Sequence, residues 1–179
     1  MNDVIRCLLT RRSVKKYRAE QVEEEKLEQI LQAGSYAACG MGKQAGKIVV
    51  LQDPADIAQL EKLNAQILGN PDLHPFYGAP TVCVVFADTS VDTWVEDGSL
   101  VIGNMLAAAH SLGVGSCWIQ GRLREAPNGD STEEYVRRVV GFPQGLRLEA
   151  ILSLGMPETH PDPHTLEEVD WSRVHAETY

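Results

Sequence analysis

Arg11-Arg12-Ser13 sets two adjacent guanidinium groups beside a hydroxyl, and Lys15, Lys16 and Arg18 follow within five residues. Paired guanidinium donors make charge-assisted hydrogen bonds that match a phosphate. A helix end decorated with cations on a solvated face accounts for the same run. The loop Ala37-Ala-Cys-Gly-Met-Gly-Lys-Gln-Ala, followed by Gly46, has three glycines that let backbone approach a flat ligand. It also reads as a plain flexible connector. Trp118-Ile119-Gln120-Gly121 ends a predicted strand, where backbone N–H groups can point into the crevice of an α/β sheet; a simple strand end and turn fits equally.

Charge favours a small anionic ligand. Lys and Arg number 16 against 25 Asp and Glu, a net of −9. Residues 1–18 carry six bases and one acid, net +5, so the rest sums to −14. Such a chain is unsuited to coating nucleic acid or an anionic membrane. Several chemistries lack their residues: there is no GxGxxG after a first strand, no GxxxxGK[ST], no HExxH, no GxSxG, no triad and no paired carboxylates. Neither a metal site nor a catalytic side chain is expected. The cysteines, Cys7, Cys39, Cys83 and Cys117, have no CxxC spacing and read as free buried thiols of a reducing cytosol. The apolar stretch at the N-terminus is too short for a signal peptide, so cytoplasmic residence is expected. Gly98–Gly121 is uncharged and long enough to span a bilayer. Ser99, Asn104, His110 and Ser111 interrupt it, and Gly113 and Gly115 would break a helix. A buried helix, a turn and a strand are expected instead of a membrane span.

The elements that must position these residues follow from periodicity. Asn2 or Asp3 caps a first helix with Val4, Ile5, Leu8 and Leu9 on one face, ending in the basic run. A second helix spans 23–35, and a third opens at Asp53-Pro54. A long helix over 95–112 follows, and a capped helix starts at Ser131, with Glu134 reaching back in a capping box. Strands are expected over 47–52, 82–87, 116–119 and 148–154. Helices come before any strand, which excludes a plain nucleotide-binding βαβ unit. The length fits one domain, residues 1–155, with an acidic, Pro-containing extension over 156–179.

The order of these features resembles the nitroreductase family of FMN-dependent oxidoreductases. RRSVKKYR is similar to its RRSxRxF signature, and AACGMGKQAG stands where a small-residue SGxNxQPW loop belongs. FYGAPTVCVVF, GNMLAAAHSLGVGSCWI and LGMP resemble later family stretches, so the likeness covers roughly residues 4–174. The resemblance implies an α+β fold, with a central mixed, mainly antiparallel sheet flanked by helices. It implies a homodimer with flavins at the interface, a C-terminal tail wrapping the partner, and Met105 and Ala108 in the dimer core. It also implies hydride transfer from NAD(P)H through FMN to an electron-poor acceptor, a nitroaromatic or quinone. A flavin-binding sensor or carrier without turnover is the alternative.

By the same resemblance, Arg11, Arg12 and Ser13 bind the FMN phosphate and ribityl chain. Lys15 faces the pyrimidine edge and tunes the flavin, and Asn64 bonds that edge. Gln120 and Gly121 offer backbone N–H groups near flavin N5 and O4. Ala38, Cys39 and Gly40 belong to the loop supplied by the other subunit. The chain departs from the pattern in two places. Cys39, Gly42 and Ala45-Gly46 replace the loop's Ser, Asn and Pro-Trp, so Cys39 is a candidate redox thiol. The late Arg/Lys pair is absent, and His160 or His164 is a candidate substitute on the phosphate.

Overall fold

The computed structural model describes residues 1–179. Its elements are α1 (Asp3–Thr10), α2 (Glu24–Ser35), β1 (Gly46–Leu51), α3 (Pro54–Ile67), β2 (Thr81–Asp88), α4 (Trp94–Ser111), β3 (Gly115–Gln120), α5 (Thr132–Val140) and β4 (Leu146–Gly155). The sheet runs β1-β2-β4-β3, and every pairing is antiparallel. The mixed character expected of the sheet has no parallel pair within this chain.

Capping chemistry starts the helices where the sequence places it. Asn2 accepts from the Ile5 N–H at 2.9 Å, and Asp53 accepts from the Ala55 N–H at 2.7 Å with Pro54 at the first helical position. Ser131 Oγ accepts from the Glu134 N–H at 3.1 Å, and Gly141, at φ 76°, closes α5 in the left-handed region. Glu134 does not complete a capping box. Its carboxylate turns instead to Arg137 Nε, 3.3 Å away.

β2 and β4 are buried on both faces because helices cover both sides of the sheet. Val82, Val84 and Phe86 join Leu60, Phe76, Val136, Leu148 and Ile151 in one core layer. Cys83 and Val85 face the other way, into a layer with Ile30, Ile102, Met105 and Leu152. Central strands buried twice need no polar alternation, which is why VCVVFA reads as a continuous apolar run.

Two expectations are corrected here, and a third holds. Met105 is fully buried against Gly34 and Ile48 of its own chain, so it belongs to the chain's core and not to an interface. The open face of α4 carries Leu100, Gly103 and Asn104 instead. The four cysteines are free, but only Cys83 and Cys117 are buried. Burial pushes the Cys83 thiol up to about 12, which keeps it protonated and inert. The uncharged segment divides among α4, a turn and β3, and no helix is long and apolar enough to cross a membrane.

Two apolar surfaces lack cover within the chain. No residue of α1 is buried, and its apolar face leaves Val4 68%, Ile5 46% and Leu8 57% exposed. Every residue from Glu158 to Tyr179 is exposed, including Leu166, Val169, Trp171 and Val174.

Candidate functional site

The basic run is an extended segment pinned on both sides. The Val14 N–H donates to the Ser116 carbonyl at 3.0 Å, tying the segment to the start of β3. The Arg18 N–H donates to the Met156 carbonyl at 2.8 Å, and the Glu158 N–H donates to the Lys16 carbonyl at 3.0 Å. Val14 and Tyr17 point inward. Val14 packs on Gly115, where any side chain would meet it, and Tyr17 Oη donates to the Val14 carbonyl at 2.8 Å and lies 3.0 Å from Ser153 Oγ. Anchoring Val14 and Tyr17 leaves Arg11, Arg12, Ser13 and Lys15 along the flank of β3.

Lys16 and Arg18 pair with Glu158 and Glu20, but Arg11, Arg12 and Lys15 make no ion pair. Arg11 is half-buried, and its Nη1 is buried without any hydrogen-bond partner. An orphaned buried guanidinium nitrogen carries a desolvation cost that an anion would remove. Arg12 Nη1 donates to the Asp162 carbonyl. Cys117 lies on β3 beneath the segment. Burial pushes its thiol above the ordinary range, while the Ser13 hydroxyl, Lys15 and Arg11 pull it back down. Lys15 Nζ stands 5.9 Å from the centre of the Tyr77 ring.

Tyr77 also lines a small cavity of about 170 Å³ with Asn64, Trp118, Gln120 and Arg124. The fold therefore gathers Lys15, Asn64 and Gln120 from three distant stretches of chain. Asn64 is buried and donates from Nδ2 to the Leu60 carbonyl at 3.0 Å. The Gln120 side chain is fully engaged. It accepts from Trp118 Nε1 at 3.0 Å and donates to the Arg122 carbonyl at 2.9 Å, so it is fixed in place. Gly121 sits so tightly on β4 that a Cβ would come within 2.8 Å of Leu148 Cδ2.

Ala38, Cys39 and Gly40 lie elsewhere. The Gly40 N–H donates to Asp97 Oδ1 at 2.9 Å, near the start of α4, and the Gln44 N–H donates to Cys39 Sγ at 3.3 Å. This loop lines a separate cavity of about 430 Å³ with Asp97 and Ile48. By contrast, the Arg11 end of the basic run meets α4 near its last turn, where Thr10 Oγ1 lies 3.0 Å from His110 Nε2. Thirteen residues separate Asp97 from His110, about 20 Å of helix. The loop and the basic run thus meet α4 at opposite ends.

The profile of the Nitroreductase family matches residues 8–156. The chain belongs to the nitroreductase family. A relative from Methanothermobacter thermautotrophicus, provisionally named an NADH dehydrogenase/NAD(P)H nitroreductase, is 31% identical over 186 residues, covering 99% of this chain and 88% of its own. An FMN-dependent nitroreductase from Clostridium difficile R20291 superposes with a TM-score of 0.88 at 30% identity, covering 98% of this chain and 99% of that one. A structure from Bacteroides thetaiotaomicron, with the same provisional name as the first relative, gives a TM-score of 0.85 at 26% identity over 100% and 99% of the two chains.

This nitroreductase-family chain also holds polar residues around the site that the sequence reading did not single out. Tyr77 bridges Lys15 and the small cavity, and Asp97 anchors the Gly40 loop. Glu149 and Arg122 meet behind Gly121, and Ser99 Oγ donates to Glu149 Oε1 at 3.0 Å. Glu149 is the one acid in β4, an intrusion visible in the sequence. Nothing local distinguishes the other three. Of the two candidate late histidines, His164 is drawn to Glu168 Oε2, 3.2 Å away, whereas His160 acts on His110.

Proposed function

We propose that this chain is an FMN-dependent oxidoreductase that draws reducing equivalents from NAD(P)H and delivers them to an electron-poor acceptor, a nitroaromatic or quinone. The observation that carries the reading is the orphaned, buried Arg11 Nη1 within a cationic segment whose Lys15 stands over Tyr77, a residue of the cavity that Asn64 and Gln120 also line. It is supported by the family and by the FMN dependence of the Clostridium difficile relative. When bound, FMN accepts hydride from the nicotinamide and passes electrons on.

The residues present fit that group. Arg11, Arg12 and Ser13 supply donors for a phosphate and ribityl chain. Lys15 brings a fixed cation to the pyrimidine edge, where it stabilises negative charge on the reduced ring. Asn64 borders the same edge. Gln120 and Gly121 offer backbone N–H groups, the Gln120 side chain being occupied elsewhere. The chemistry requires no acid or base from the protein, whose work is to bind, orient and polarise.

In this reading the site is completed by a homodimer, with Ala38, Cys39 and Gly40 of a second copy meeting the flavin. The support is the loop's distance from the basic run along α4 and the uncovered apolar faces of α1 and the tail. Residues 1–155 form the flavin-binding domain, and 156–179 its extension. The extension begins along the chain's own basic run, so only the part beyond the Arg12–Asp162 contact is free to pack on a partner. Four unpaired thiols suit a reducing cytosol.

An absorbance spectrum of the purified chain, followed by NAD(P)H oxidation with a quinone or nitroaromatic, tests the proposal. Flavin bands and acceptor-dependent turnover are expected. A chain that stays colourless with added FMN overturns it, and a bound flavin that NAD(P)H does not reduce identifies a carrier instead.

A further inference from the structure

Where the basic run meets the end of α4, positive groups gather without ion pairs of their own. Lys16, Arg18, Arg122, Arg137, Arg138 and Arg147 each sit within ion-pairing distance of a carboxylate. In the same acidic protein, Arg11, Arg12, His110 and His160 have no such partner. Arg11 contributes the orphaned Nη1 described above.

Hydrogen bonding leaves one ring nitrogen of His110 free to titrate. The Thr10 hydroxyl donates to the Arg6 carbonyl at 2.8 Å, so its oxygen is left to accept. It lies 3.0 Å from His110 Nε2, which must therefore carry the proton. Nδ1 is the atom that gains or loses a proton. Burial lowers the pKa of His110, and His160 and Arg11 lower it further. The groups that face it are thus Arg11 at the end of α1 and His160 from the tail, with Arg11 also acting on Cys117 of β3. Of the nearby acids, Glu158 pairs with Lys16, Glu168 holds the Thr165 N–H and His164 and also faces Arg12, and Asp162 meets Arg12 through its carbonyl; none pairs with Arg11 or His110.

We propose that His110 joins Arg11 in a titrating clamp on the flavin phosphate, so that the chain takes up a proton as FMN binds and holds it more tightly as the pH falls from about 8.5 to about 6.5. The proposal rests on the flavin reading above and adds a residue and a regulation to it. Burial, His160 and Arg11 disfavour the imidazolium of His110 in the free chain; a dianion beside His110 and Arg11 reverses the sign of the local field and favours that form. Affinity then changes by up to about tenfold per pH unit between the free and bound pKa. A phosphate monoester loses its second charge only near pH ~6, so the gain is confined to the range above that.

The test is calorimetric titration of the full-length chain with FMN, and with riboflavin, across that pH range in buffers of different ionisation enthalpy. FMN binding is expected to take up protons near neutral pH and to tighten about tenfold across the range, while riboflavin binding stays flat. H110Q and H110N, either of which keeps a side-chain amide at the end of α4, should abolish the uptake. FMN binding without proton uptake in the wild type, or uptake unchanged in both variants, overturns the clamp while leaving the flavin reading standing. Failure to bind both FMN and riboflavin at every pH removes the flavin reading, and the clamp with it.

Discussion

Arg122 Nε lies 3.0 Å from Glu149 Oε2, directly behind the turn that follows Gly121. Backbone bonding reinforces the contact, because the Arg122 N–H donates to the Glu149 carbonyl at 3.1 Å. The carboxylate is nearly inaccessible, and Gly98 of α4 packs against its side chain. The pair ties the end of β3 to β4 and α4, and so fixes the backbone N–H groups proposed to meet the flavin.

Glu149 should make stability pH-dependent. Burial raises its pKa, and the Ser99 hydroxyl and Arg122 offset that only in part. A carboxyl raised in the folded state contributes stability that is present below its unfolded pKa and is lost as the pH rises through the folded pKa. Urea unfolding of the wild type and Glu149→Gln from about pH 4 to about pH 7 should therefore show their difference moving in favour of the Gln variant as pH rises. Glu149→Ala, which leaves Arg122 without its partner, should cost about 3 kcal/mol at neutral pH.

Gly121→Ala should destabilise the chain whether or not flavin is present. The new Cβ would lie 2.8 Å from Leu148 Cδ2, and Leu148 is fully buried and cannot swing aside. Overpacking of this kind costs about 1–3 kcal/mol. Thermal unfolding of the flavin-free chain reads the loss directly, separating it from any effect on cofactor contact.

Arg11→Ala/Arg12→Ala should weaken FMN binding by at least about 1.5–3 kcal/mol, the scale of one charge-assisted hydrogen bond. Riboflavin, which lacks the phosphate, should bind the wild type and the double variant alike. Fluorescence quenching of each flavin provides the comparison.

Lys15→Ala should lower the midpoint potential of bound flavin, because it removes a cation that favours the more negative, reduced ring. Nζ stands above Tyr77 and away from any carboxylate, so its charge is available to the cavity. Spectroelectrochemical titration measures the change, and an unaltered midpoint would remove Lys15 from that role.

Leu8→Glu should shift the proposed dimer to monomer in analytical ultracentrifugation. Leu8 is 57% exposed on the uncovered face of α1, so the substitution leaves the chain's own core intact while charging the proposed interface. Loss of flavin in parallel would link dimer formation to completion of the site.

Local chemistry settled much of this protein before any tertiary contact was considered. Asn2, Asp53 and Ser131 cap the helices that their types and positions predict, and VCVVFA is the central strand its unbroken apolar character requires. These are short-range effects of hydrogen bonding and periodicity, written in consecutive residues. The cluster Arg11-Arg12-Ser13 is equally visible because its members are neighbours in the chain. Only the tertiary structure decided which distant groups share its surroundings. His110 reaches the Arg11 end of the basic run from a helix far along the chain, while Ala38–Gly40 is carried to the opposite end of α4. Met105, which the family resemblance put in a dimer core, fills the space left by Gly34. Periodicity shows that a helix has an apolar side; which neighbour covers that side depends on how the layers stack, and no local run of residues encodes it.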